Sequence, residues 1–202
     1  MKEDRTVAAD DLLSRAQSGD APAFAALVRQ YQRAVYSIAL RMLSDRQKAE
    51  DLAQEVFLQL HRKLGGIESA AHLGFWLRKV TANRAIDRLR REPKIEAVAL
   101  AEDSDLVAEG SDADPLLQRR LGDLVAQLPP APRAVVLLRY QEDLDPVEIA
   151  RTLDMPINTV KSHLKRSLLT LRTQMGGTVA VEQHAGDALD DDASLPDTSP
   201  ST

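Results

Sequence analysis

Apolar positions along the chain recur every three or four residues, in stretches separated by glycine, proline or acidic breaks. That period marks helices that bury one face. Alternation with period two is nearly absent, as are Asn-Gly and Asp-Gly hairpin turns, while Ala, Leu, Arg, Gln and Glu abound. The pattern predicts an all-α protein. Helices are expected at residues 9–18, 21–43, 46–64, 70–91, 116–127, 130–141, 146–153 and 156–174. The Gly19-Asp20-Ala21-Pro22 break starts the second, and Gly65-Gly66 stops the third.

In the third helix Ala49, Leu52, Ala53, Val56, Phe57, Leu60 and Leu64 form a core-facing stripe, and Glu50, Asp51, Gln54 and Glu55 gather opposite. Those four polar residues read either as an ordinary wet face or as an acidic and amide patch that docks a partner. In the fourth helix Trp76, Val80, Asn83 and Asp87 share one face, while Arg84, Arg88 and Arg91 form a basic ridge beside it. Six basic residues and one acid between Arg78 and Arg91 suit phosphate neutralisation. Asn83 has the donor and acceptor to read a base edge, and equally to make a bundle hydrogen bond. Trp76 reads as core before it reads as a stacking platform. The loop from Gly65 to Ala71 is small and polar enough to approach an unstacked base.

The sharpest local signal lies near the C-terminal end. Asp145-Pro146-Val147-Glu148 is a capping box with proline at the first helical position. Ile149, Ala150 and Leu153 face inward, Asp154-Met155-Pro156 turns, and a second helix carries Val160, Leu164, Leu168 and Leu171 on its buried side. That is a helix-turn-helix. The other side of its second helix offers Thr159, Lys161, Ser162, His163, Lys165 and Arg166, hydroxyls and cations where a recognition helix meets the major groove. Thr159 and His163 are the candidates for base edges, and Lys161, Lys165 and Arg166 for phosphates.

Charge changes the picture only when divided along the chain. The total is -5, which for a whole chain argues against a nucleic-acid binder. Residues 1–91 hold 16 basic and 11 acidic side chains, residues 92–115 hold 1 and 8, residues 116–175 hold 9 and 6, and residues 176–202 hold 0 and 6. Two basic, foldable blocks thus alternate with two acidic stretches, read as a flexible linker and a solvated tail. Cysteine is absent, which excludes disulfides, thiolate zinc sites and thiol nucleophiles and suits a reducing cytoplasm. No stretch approaches the roughly 18 apolar residues of a membrane span, and acids stand where a signal peptide wants an apolar run. The four histidines at 61, 72, 163 and 184 are scattered, with no Glu-x-x-His or His-x-x-x-His pair and no glycine-rich phosphate loop. A helical-bundle enzyme or carboxylate metal protein therefore has little to support it; a stand-alone helix-turn-helix regulator remains open.

Four stretches together resemble the extracytoplasmic-function (ECF) sigma factors, the two-domain members of the bacterial sigma family. They are Gly19-Asp20 through Phe24 and Leu27 with Tyr31; Ala49-Glu50-Asp51-Leu52-Ala53-Gln54-Glu55-Val56-Phe57; Trp76-Leu77 through Asn83 and Asp87 to Arg90-Arg91; and Leu128-Pro129 through Arg133 and Leu138-Arg139-Tyr140 into Glu148-Ile149-Ala150 and Thr159-Val160-Lys161-Ser162. The resemblance implies two small helical domains. Residues 1–91 would be sigma region two and residues 116–175 sigma region four, joined by an acidic linker at 92–115 and followed by an acidic tail at 176–202. It implies that Asp51, Gln54 and Glu55 contact core RNA polymerase, and that Asn83, Arg84, Asp87, Arg88 and Arg91 lie at the downstream promoter element. The loop before the Trp76 helix would accept a flipped base, and Thr159, Lys161, Ser162, His163, Lys165 and Arg166 would read the upstream element. It further implies promoter-specific transcription initiation without catalysis or cofactor, with core polymerase, promoter DNA and an anti-sigma factor as partners. The chain departs from the family pattern at Pro156-Ile157-Asn158, where Ser or Glu then Gly is frequent, and at His163, where Arg is frequent.

Overall fold

The computed structural model describes residues 2–91 and 114–176, with no strand among them. The helices among the described residues are α1 (Lys2–Gln17), α2 (Ala21–Leu43), α3 (Arg46–Lys63), α4 (Ala70–Arg91), α5 (Pro115–Ala126), α6 (Pro130–Gln141), α7 (Pro146–Leu153) and α8 (Ile157–Gln174), with a 3-10 turn at Leu64–Gly66. The acidic stretch at 92–113 and the tail from 177 lie outside the described residues. Helix ends follow the sequence signals closely except in α1, which reaches back to Lys2, ahead of the first apolar spacing.

The breaks are chemical. Asp20 caps α2 by accepting from the Ala23 N–H at 3.0 Å, and Asp45 caps α3 by accepting from Lys48 N–H at 3.0 Å. Asp145 accepts from both Val147 and Glu148 N–H at 2.7 and 2.8 Å, while the Glu148 carboxylate accepts from the Asp145 N–H at 2.8 Å, completing the capping box. Asp145→Ala should therefore destabilise the C-terminal block by about 1 kcal/mol. An unchanged thermal or urea unfolding midpoint would contradict that role.

Helices α1 to α4 pack around Leu27, Val35, Leu52, Val56, Leu60, Leu73 and Leu77. In α3 the stripe is as expected, with Ala49, Leu52, Val56 and Leu60 fully buried. In α4 it is not. The buried line is Leu73, Leu77, Thr81, Ala82, Ala85 and Ile86, whereas Trp76, Val80 and Asn83 are half-buried on the next flank and Asp87 is exposed. The reason is that α4 has neighbours on two sides: α1, α2 and α3 on one, α6 and α7 on the other.

The two blocks meet along that second flank. Arg133 on α6 donates from its guanidinium to the Met42 carbonyl at 2.6 Å, near the C-terminal end of α2, and to the Leu128 carbonyl at 3.3 Å. A cation at a helix C-terminus meets the negative end of the helix dipole. Lys79 on α4 pairs with Asp154 at 2.8 Å, and the Asn83 amide donates to the Thr152 carbonyl at 3.1 Å. Glu142 is half-buried at the same seam. Burial pushes its carboxyl up, and Arg78 and Arg41 pull it back down.

Candidate nucleic-acid and polymerase interfaces

The α3 polar face stands opposite its buried stripe, and Glu50, Asp51, Gln54 and Glu55 are all exposed. Asp51 accepts from the Gln47 side-chain amide one turn back at 3.2 Å, a local bond that leaves its outer side free for a partner. Beside this face runs an open apolar groove of about 880 Å³ between α2 and α3, whose lining includes Phe24, Tyr36, Phe57 and Leu58 together with Glu50 and Gln54. Phe24 and His61 meet edge to face at 5.1 Å at its border. A groove walled by aromatics and edged by Gln32, Arg33, Glu50 and Gln54 has the anatomy of a protein interface, apolar within and polar at the edge. Spacing alone flagged Gln54. It missed Tyr36 and Leu58, because their partners come from another helix.

Glu55 behaves differently from its neighbours. It pairs with Arg84 at 2.9 Å and with Arg88 at 2.7 Å, both reaching over from α4. Arg84 also donates to the Gln59 side chain at 3.0 Å, and Arg88 to the Lys48 carbonyl at 3.1 Å. The structure thus joins one residue expected to meet polymerase to two expected to meet DNA. Arg91 and Asp87 stay exposed at the end of α4. Asn83 is turned into the seam with α7.

In the C-terminal block α7 and α8 form the helix-turn-helix, with Asp154 closing α7 in the left-handed conformation at φ 50°. Val160 is fully buried, and Leu171 is buried on the same side of α8. Lys161, Ser162, Lys165 and Arg166 are exposed, and Thr159 and His163 half-buried. Arg166 Nε donates to the Ser162 carbonyl at 3.2 Å, which steers its guanidinium along the helix. Burial, helped by the nearby Arg166 charge, holds His163 below the usual imidazole range. A neutral imidazole offers one donor and one acceptor, the mixed pattern that base edges present. With its folded pKa depressed, His163 costs stability only as pH falls through the ordinary imidazole range near 6.5.

Two family models cover these two surfaces. Sigma-70 region 2 matches residues 27–94, and Sigma-70 region 4 matches residues 118–171. The chain is 30% identical over 172 residues to the RNA polymerase sigma-H factor of Pseudomonas aeruginosa, covering 77% of this chain and 88% of that protein. The chain belongs to the ECF sigma factors of the sigma-70 family. The ECF RNA polymerase sigma factor SigW of Bacillus subtilis is 29% identical over 176 residues, which are 81% of this chain and 94% of that one. Among solved structures, the sigma factor RpoE of Bartonella quintana, in complex with the anti-sigma factor NepR, superposes with a TM-score of 0.61 at 20% identity, covering 75% of this chain and 96% of that one. That likeness is one of fold.

In this sigma factor the region 2 match spans most of α2, all of α3 and all of α4, so it holds the α3 face, the arginine ridge and the groove except for Phe24. The region 4 match runs from within α5 to Leu171, so it holds the helix-turn-helix. The protein is a sigma factor that acts in transcription initiation. Among the described residues no helix is long and apolar enough to cross a membrane.

Proposed function

We propose that this sigma factor docks on bacterial core RNA polymerase through Asp51, Gln54 and the adjoining α2–α3 groove, and presents two DNA-reading surfaces to a promoter. The observation that carries the assignment is the division of labour on α3: a fully buried stripe on one side and, opposite it, an exposed amide and carboxylate face beside an open apolar groove. Residues 1–91 serve as region two, 92–115 as the linker, 116–175 as region four and 176–202 as an acidic tail. Arg84, Arg88 and Arg91 neutralise phosphates, Asn83 and Asp87 stand at the downstream element, and the Gly65–Ala71 loop takes up an unstacked base. The chain supplies recognition and no chemical step, needs no cofactor, and works in the cytoplasm. An anti-sigma factor, like the one bound to the Bartonella relative, would compete for the same faces. The test is co-elution with purified core polymerase. A complex of defined stoichiometry supports the assignment, and separate elution under low salt would contradict it.

In region four, Lys165→Ala should weaken DNA binding at every sequence and reduce the salt slope by about 1, the signature of one lost phosphate contact. His163→Ala should instead change the preference among bases, by about 1–3 kcal/mol at the position it reads. Equal losses across all sites would remove His163 from readout. The seam adds a condition. Because Asn83 already donates to Thr152, it meets a base only once α7 has moved off α4. A fluorophore pair on α3 and α8 should therefore report a longer distance when core polymerase binds, and an unchanged distance would contradict this opening step.

A further inference from the structure

The connection from α3 to α4 is held locally by a few short-range bonds, among them the Glu68 N–H on the His72 Nδ1 at 3.2 Å. It contains two adjacent glycines and one 3-10 turn, closed by the Ile67 N–H on the Leu64 carbonyl at 3.1 Å. Leu64, Ile67 and Ala70 are buried beneath it, while Gly65, Gly66 and Glu68 face outward. A Cβ built on either glycine would meet no heavy atom within 4 Å, so the outer side of the turn is open. At its far end the Ser69 hydroxyl accepts from the His72 N–H at 3.1 Å to start α4.

What fixes the turn arrives from much earlier in the chain. Gln17, the last residue of α1, donates from its side-chain Nε2 to the Leu64 carbonyl at 2.9 Å and to the Ile67 carbonyl at 2.7 Å. Both protons of one amide are thereby spent on the two ends of the 3-10 turn. Asp10, seven residues earlier and so on the same face of α1, accepts from the Ala70 N–H at 2.6 Å, at the first residue of α4. One helix face therefore clamps both the turn and the helix start that follows it. Neither residue belongs to the α3 docking face or to region four, and neither stands out in the sequence, because the bonds span 47, 50 and 60 residues.

We propose that Gln17 and Asp10 are positioning residues that set the Leu64–Ala70 backbone in the shape that accepts the unstacked promoter base, and so sharpen base discrimination during opening. The inference rests on the assignment of that loop to base capture. A glycine pair left free would sample many conformations, most of which misplace the loop's backbone donors and acceptors. Recognition by fixed backbone groups requires that the ordering be done beforehand. Gln17→Glu keeps the size but turns two donors into acceptors facing two carbonyls, so it releases the turn without opening a cavity. Gln17→Lys restores donation.

The experiment uses the full chain bound to core polymerase on a promoter found by selection from a fragment library. Variants of that promoter carry each base at the downstream positions, and open complex is read with 2-aminopurine. Wild type should discriminate among bases at one position. Gln17→Glu and Gln17→Ala should lose about tenfold of that discrimination, the scale of one to two hydrogen bonds, with core binding and melting temperature near wild type. Gln17→Lys should recover most of it. Unchanged discrimination in Gln17→Glu, or an equal loss on every base with no recovery in Gln17→Lys, would overturn the clamp while leaving the loop assignment standing. A wild-type protein that opens promoters with no base preference downstream would overturn the loop assignment, and the clamp with it.

Discussion

Leu52→Ala is expected to lower the stability of the folded chain by about 2–5 kcal/mol and its melting temperature by on the order of 10 °C. Leu52 is fully buried in the centre of α3, in one line with Ala49, Val56 and Leu60, inside the cluster that unites α2, α3 and α4. Removing the branched end loses its transfer free energy. It also leaves a void that three packed helices can only partly close. Against a typical total of about 5–15 kcal/mol, that is a large fraction. The groove and the α3 docking face are built on the same helix, so core binding should fall in step with the folded fraction. An unfolding midpoint within a degree of wild type would mean that the α2–α3 core is not packed as described.

The neighbouring positions should behave in the opposite way. Asp51→Ala combined with Gln54→Ala is expected to weaken core polymerase binding tenfold or more, as loss of interface polar contacts does. It should leave helicity unchanged and shift the melting temperature by no more than about 2 °C, since exposed surface changes rarely exceed about 0.5 kcal/mol. Both side chains are exposed, and the bond on Asp51 is confined to one turn of its own helix. Glu55 is left out of this pair deliberately. Its carboxylate holds Arg84 and Arg88, so Glu55→Ala would unpair two cations on the DNA side and mix the two readouts. Normal core affinity in the double variant would return Asp51 and Gln54 to an ordinary wet face, and loss of helicity would give them a structural role.

Which parts of this were legible in the sequence follows from the range of the interactions. The α3 stripe and the Asp145 capping box are local, written within one or two helical turns, and both stand where periodicity and spacing put them. On α8 the buried line runs through Val160, Ser167 and Leu171 with Leu164 and Leu168 half-buried beside it, which leaves Lys161, Ser162, Lys165 and Arg166 exposed and Thr159 and His163 half-buried. The apolar positions of α4 divide between two flanks because the helix has partners on two sides, and Trp76 and Val80 pack on the second. The coupling of Glu55 to Arg84 and Arg88 spans about one hairpin of sequence, and the Arg133 bond to Met42 spans 91 residues. No single-helix pattern encodes such contacts. The whole-chain charge of -5 pointed away from DNA because the two acidic stretches outweigh two basic blocks, and the recognition helix is cationic regardless of that sum.

The most direct measurement is run-off transcription by purified bacterial core polymerase on a promoter fragment library, with and without this chain. The account predicts new transcripts with defined start sites that appear only when the chain is present, and that share one upstream and one downstream element at a fixed spacing. Transcripts that are unchanged by the chain, together with its failure to bind core, would contradict it.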